Sequence, residues 1–196
     1  MTGCAVTPLV TDQYKLTGHS EKRLNCAGKM GSVFVNMPEA VVGYQTDSML
    51  YMQKPYKLMP FVHHAWISPP AGMLLPLIVQ SLSRTGCFTA VNSSPSAATA
   101  DYMIETQLLE LHQNFLVKPS EIAFVAKVSL IRSSTNQVVS SRIMKYYVKC
   151  RMDTPYGGVI AANHAAKLFT EALTHFIVAQ IRNIGSDHRR GHAHYK

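Results

Sequence analysis

Histidine, cysteine and serine are the side chains with which this chain could do chemistry, and their spacing limits what that chemistry is. His63 and His64 are adjacent and stand just before Trp66, His112 lies in an apolar stretch, and His164 and His175 are eleven residues apart. That last separation is about three helical turns, too far for the two rings to share a ligand on a straight helix. No G-x-S-x-G elbow, H-E-x-x-H pair, phosphate-binding loop or G-x-G-x-x-G run accompanies them. The pattern predicts no enzyme: one of His63 and His64 packs inward with a partner, the other is solvated, and His164 is a surface residue. The four cysteines, Cys4, Cys26, Cys87 and Cys150, form no C-x-x-C pair. Zinc, or any other metal or cofactor, is therefore not expected. His188, His192 and His194 fall in a basic, glycine-broken tail and predict at most loose metal contact.

One spacing does point to covalent chemistry. In Thr2-Gly3-Cys4, small residues precede a cysteine, the arrangement in which a thiol takes a diacylglycerol group at the end of an apolar signal segment. Cys4 is the predicted lipidation site, residues 1–13 are the tether, and the apolar signal would stand ahead of them in the precursor. With Cys4 used in this way, Cys26 and Cys150, which both flank loops, are the expected disulfide pair. Cys87, within the apolar run Cys87-Phe88-Thr89-Ala90-Val91, is expected to be buried.

The elements that must position these residues follow from hydrophobic periodicity. The 196 residues are 47% hydrophobic and 15% charged, enough for a sizeable core. No apolar run approaches the roughly 18 residues that span a bilayer as a helix. Alternation predicts strands at Tyr14–Thr17, Ser32–Asn36, Met49–Gln53 and Leu58–His63. A helix opens at Ser68-Pro69-Pro70, carries Leu74, Leu77, Ile78 and Leu82 on one face, and stops at Gly86. After a Ser/Ala loop over residues 92–100 come three long strands, Tyr102–Phe115, Glu121–Arg132 and Val138–Cys150. The shift of apolar positions at Leu109 and Leu111 predicts a bulge or a change of buried face in the first of them. Thr154 as N-cap and Pro155 then start a long helix with the stripe Ala162, Ala165, Ala166, Phe169, Leu173, Phe176, Ile177 and Ile181. The prediction is an α+β fold: one domain over residues 14–184, a mostly antiparallel sheet covered on one face by two main helices, and a flexible basic tail over residues 185–196.

A formal net charge of +8 favours acidic partners. The cations are scattered until the tail and lack interleaved aromatics, which argues against nucleic acid. The apolar surface candidate lies in the strands around residues 49–66. Met49, Tyr51, Met52, Tyr56 and Met59 suit an adaptable protein interface or the mouth of a lipid groove, with Trp66 either gating such a groove or anchoring the core.

In order and spacing the chain resembles the ABC-type transport auxiliary lipoproteins. The resemblance is carried by Thr2-Gly3-Cys4, by Tyr14-Lys15-Leu16, and by Trp66 followed by Pro69 and the leucine-spaced helix. It continues with Gly86-Cys87-Phe88 running into Val91, then Ala100-Asp101-Tyr102-Met103-Ile104 and Gly158-Val159-Ile160-Ala161-Ala162-Asn163-His164-Ala165. What the resemblance implies is an accessory lipoprotein without turnover, on the periplasmic face of the outer membrane. Its partners there would be the mammalian-cell-entry (MCE) domain protein of a lipid transporter and membrane phospholipid held through Cys4. It also leaves room for a homo-oligomer around the tip of that assembly and for contact with the transported phospholipid. Two alternatives stay open: a periplasmic carrier with its own acyl-chain cavity, and a structural envelope lipoprotein.

Overall fold

The spine of the molecule is the strand Tyr102–Asn114, to whose two edges most of the other strands attach. In chain order the strands are β1 (Asp12–Tyr14), β2 (Ser32–Val35), β3 (Glu39–Ala40), β4 (Ser48–Lys54), β5 (Lys57–Trp66), β6 (Ala90–Asn92), β7 (Tyr102–Asn114), β8 (Glu121–Arg132) and β9 (Gln137–Lys149). The helices are α1 (Pro70–Thr85) and α2 (Pro155–Gly191). The computed structural model describes residues 12–94 and 99–191, with side chains as far as Ile184. Cys4, the centre of the Ser/Ala loop and the side chains of His188, His192 and His194 lie outside the described residues.

On one edge of β7, β8 runs antiparallel along its whole length, and β9 pairs antiparallel with β8. The other edge is tiled by three short parallel partners: β2 beside residues 102–104, β3 beside 107–108 and β4 beside 113–114. β5 folds back antiparallel on β4, β1 adds parallel to β5, and β6 adds parallel to β2. The fold class is the expected α+β. The long ladders β4–β5, β7–β8 and β8–β9 are antiparallel. The short pairs of two or three residues make the sheet mixed by adding parallel partners. Local alternation reports which residues form a strand, whereas pairing direction depends on how distant segments return to β7. The expected bulge sits between Leu108 and Glu110. It brings Leu108 and Leu111, three residues apart, both into the core.

Both helices pack with the sheet around one core. Leu74, Ile78 and Leu82 of α1 meet Phe169, Leu173 and Ile177 of α2, Phe124 of β8 lies 5.2 Å from the Phe169 ring, and all seven side chains are fully buried. Gly86 closes α1 at φ 74°, a left-handed conformation that favours glycine. The Thr154 hydroxyl accepts from the Gly157 N–H at 3.1 Å, as the capping prediction requires. At its far end, α2 continues to Gly191, into the segment predicted as a tail.

β1 covers Asp12–Tyr14 rather than Tyr14–Thr17. Beyond Tyr14 the chain leaves the sheet and becomes a strap across α2. The Asn163 carboxamide oxygen accepts from the N–H groups of Thr17 and Gly18 at 2.7 and 3.0 Å, and the Ser20 N–H donates to Ser81 and Thr170. Side chains of the helix supply the partners that a neighbouring strand would otherwise offer.

The disulfide joins Cys26 to Cys87, with Cα atoms 5.6 Å apart, and Cys150 is a buried free thiol. The expected Cys26–Cys150 pair is thereby corrected. Cys150 lies just before the start of α2, while Cys26 touches Arg182 near its other end. Twenty-seven helical residues separate Pro155 from Arg182, about 40 Å, and a disulfide needs Cα atoms within about 7 Å. The segment before β2 instead runs beside the end of α1, bonded through Leu24 to Thr85 and through Met30 to Cys87.

Candidate interaction surface

The β4–β5 hairpin carries most of the residues expected to form an interface, and the fold divides them. Tyr51, Met52 and Met59 are half-buried and Tyr56 is fully exposed, whereas Met49 and Trp66 are core residues, 4% and 3% exposed. Met49 and Trp66 are therefore withdrawn from the surface. Trp66 sits at the end of β5, its N–H donating to the Asp47 carbonyl, where the sheet passes over to α1.

Around the remaining residues runs a row of rings that no single stretch of sequence contains. The Tyr51 and Phe61 rings lie 4.5 Å apart, tilted by 33°, and Phe115 stands edge-on to both at 6.1 and 6.4 Å. Phe61 meets His64, His64 stacks on Tyr14, and Tyr14 lies 6.0 Å from Tyr156. β1, β4, β5, the turn after β7 and the start of α2 all contribute. Tyr156 is exposed and the other rings are half-buried, so the row is an apolar strip at the surface rather than a core cluster. Of these rings, Tyr51 stands out in the sequence as an interface residue; Phe61 follows it on the paired strand β5. Phe115, Tyr14 and Tyr156 join only through tertiary folding.

The polar groups of this strip make no catalytic set. His64 Nδ1 lies 3.3 Å from the Tyr14 hydroxyl and 3.7 Å from an Asp12 carboxylate oxygen. Burial, and then the charge of Asp12, push the Tyr14 hydroxyl above its ordinary range, which keeps it a proton donor. His63 is exposed on β5, and His164 and His175 are exposed about three turns apart on α2. His112 is buried on β7, its Nδ1 3.0 Å from the Tyr44 hydroxyl. Burial lowers the His112 pKa against the pull of Glu110, and it raises that of Tyr44 to about 12. The neutral pair thus fixes the loop before β4 to the sheet. Burial likewise raises the Cys150 thiol, which receives the Gln113 carboxamide at 3.6 Å and behaves as core rather than nucleophile. Among the described residues, no three His, Cys, Asp or Glu side chains come together as metal ligands.

A second feature lies at the opposite end of α2. An open cleft of about 1260 Å³ is lined by Lys29, Asp101, Tyr102, Arg132, Ile181 and Arg182 among others. Asp101 is held ionised by the Ser32 N–H and hydroxyl at 2.7 and 2.8 Å, and Arg182 binds the Asn25 carbonyl. The cleft lies at the end of the seam between the sheet and α2, whose middle is filled by buried apolar side chains.

This architecture, a mixed sheet backed by two helices, is shared by solved proteins. Protein XCC0632 from Xanthomonas campestris, assigned to the family DUF330, superposes with a TM-score of 0.79 at 17% identity, over 89% of this chain and 99% of that one. An uncharacterized protein superposes with a TM-score of 0.69 at 14% identity, over 86% and 99%. DUF330 is the family of the ABC-type transport auxiliary lipoproteins. At these identities the likeness shows a common fold. No protein-family model and no curated protein sequence matches the chain.

Proposed function

We propose that this protein is an outer-membrane lipoprotein, anchored through Cys4, that serves as a non-catalytic accessory of an MCE-type lipid transport system. The observation that carries the reading is the fold shared with a DUF330 protein along nearly its whole length. The aromatic strip from Tyr51 to Tyr156 supplies the docking face, since half-exposed Tyr, Phe and Met side chains bury well against a partner. The packed seam between sheet and helices favours an adaptor over a carrier that encloses acyl chains. The cleft beside Arg132 is where a carrier could hold a lipid, with cations for the headgroup and Met30 and Ile181 for the chain.

Pull-down of the lipidated protein from envelope extracts, with mass spectrometry of proteins and lipids, tests the reading. An adaptor recovers an MCE-domain protein without stoichiometric lipid. Bound phospholipid without that partner makes the protein a carrier. In the same cells, Cys4→Ser in the full precursor releases the protein from the membrane fraction; unchanged fractionation removes the anchor.

A further inference from the structure

We propose that the end of the sheet built from the β4–β5 turn and the β7–β8 loop is a membrane-contacting end that rests on an anionic phospholipid surface. Lys54 and Lys57 are the last paired residues of the hairpin, directly opposite each other. Like charges in that position destabilise a hairpin unless an anion lies between or beyond them. Neither has an ion-pair partner among the described residues. Between them stand Pro55 and Tyr56, and Tyr56 is 101% exposed with φ at 65°. The left-handed conformation suits glycine at this turn position and strains a bulky residue. Among the described residues, nothing packs against the ring to offset that strain. A tyrosine held outward between two lysines is the arrangement of an interfacial anchor, its ring among headgroups and the ammonium groups on phosphates.

The neighbouring loop extends this end. The Phe115 N–H donates to the Met52 carbonyl, which sets Leu116 and Lys118 beside the hairpin, and Leu116 is 46% exposed. The β9–α2 connection reaches the same end through Cys150 and Asp153, both bonded to Ser120, and adds exposed Met152 and Arg151. The end thus carries Lys54, Lys57, Lys118, Lys149 and Arg151 against Glu121 and Asp153, with Glu121 already paired to Lys149 at 3.0 Å.

Chain direction agrees with this surface. β1 runs parallel to β5 with Asp12 beside His64, so the chain enters β1 from the side of the hairpin turn. His64 stands seven residues, about 23 Å, from Lys57 along the strand. The eight residue steps from Cys4 to Asp12 reach about 26–29 Å, enough to bring an anchored Cys4 level with the turn. This last step rests on the Cys4 anchor proposed above; the charge and exposure of the turn do not.

The test is co-sedimentation of the full, unlipidated Cys4→Ser chain with phosphatidylethanolamine vesicles carrying about a quarter phosphatidylglycerol. Binding is expected at low salt, with loss at high salt and on neutral vesicles. Lys54→Glu with Lys57→Glu should weaken it by roughly tenfold or more. Tyr56→Gly should weaken it while leaving thermal stability equal or higher, because glycine relieves the turn. Lys127→Glu with Lys167→Glu, an equal charge change elsewhere, should leave binding unchanged. The proposal is overturned if the hairpin variants bind like the parent, or if the remote pair weakens binding as much. Since the anchor is absent throughout, failure here is separate from failure of the pull-down.

Discussion

His112 shows burial deciding what a titratable side chain does. Its pKa is lowered in the folded state, chiefly by burial, so below about pH 6.5 the unfolded chain binds a proton that the folded chain refuses. Stability should therefore fall as pH drops through that range, by at most about 1.4 kcal/mol per pH unit from this group. Tyr44, raised to about 12, has the opposite limb: stability is lost as pH rises above about 10, where the unfolded tyrosine ionises first. Urea midpoints of the parent and of His112→Asn, compared from pH 5 to 8, should give a less stable variant with a flatter profile. Equal slopes would sink the assignment. The sequence marked His112 as one of several histidines in an apolar setting, but Tyr44, 68 residues away, could not be foreseen. The same holds for the aromatic strip. Met52, Tyr51 and Met59 were legible because one hairpin holds them, whereas Phe115 and Tyr156 arrive from other elements. Met49 was misassigned to the surface because composition alone does not say which face of a strand looks inward, and of the two roles open to Trp66 its burial selects the core anchor.

Among elements, the long periodic ones were legible nearly to the residue. The α2 stripe from Ala162 to Ile181 is buried throughout, and β8 runs from Glu121 to Arg132 as alternation requires. β3 and β6, of two and three residues, are too short to show a period. The strap over residues 15–20 escaped for another reason: its backbone is satisfied by side chains, which leave no pattern in the strap itself. Two substitutions test how tightly it is held. Asn163→Ala removes the acceptor of the Thr17 and Gly18 amides and should cost about 1–3 kcal/mol. A Cβ on Gly18 would stand 2.0 Å from the Asn163 carbonyl oxygen, so Gly18→Ala should cost a comparable amount through displacement of the strap. Because both act on one contact, the double variant should lose less than the sum. Strict additivity in chemical denaturation, or unchanged hydrogen exchange at Thr17, would mean that the strap is held elsewhere.

For the whole molecule, the Cys26–Cys87 bridge ties the segment ahead of β2 to the chain leaving α1, across 61 residues that include β2–β5 and α1. Closing a loop of that length restricts the unfolded chain far more than the folded one and should contribute about 2–5 kcal/mol. A structural disulfide is also what an oxidising compartment permits and the cytosol does not, in keeping with the periplasmic location proposed here. Cys150 stands apart from this: it is buried beneath the start of α2 and hydrogen-bonded by Gln113, and the other two described cysteines are already joined to each other. Non-reducing peptide mapping should return one linked pair, Cys26 with Cys87. Cys150→Ser should leave that pair in place and unfold on urea within about 1 kcal/mol of the parent. Adding reductant, or replacing Cys26 and Cys87 together with serine, should lower the urea midpoint by the larger amount and loosen the wall of the cleft between Asn25 and Met30 first. A Cys26–Cys150 peptide, or a midpoint indifferent to reductant, would require the segment before β2 to pack differently and would remove the support the bridge lends to a periplasmic protein.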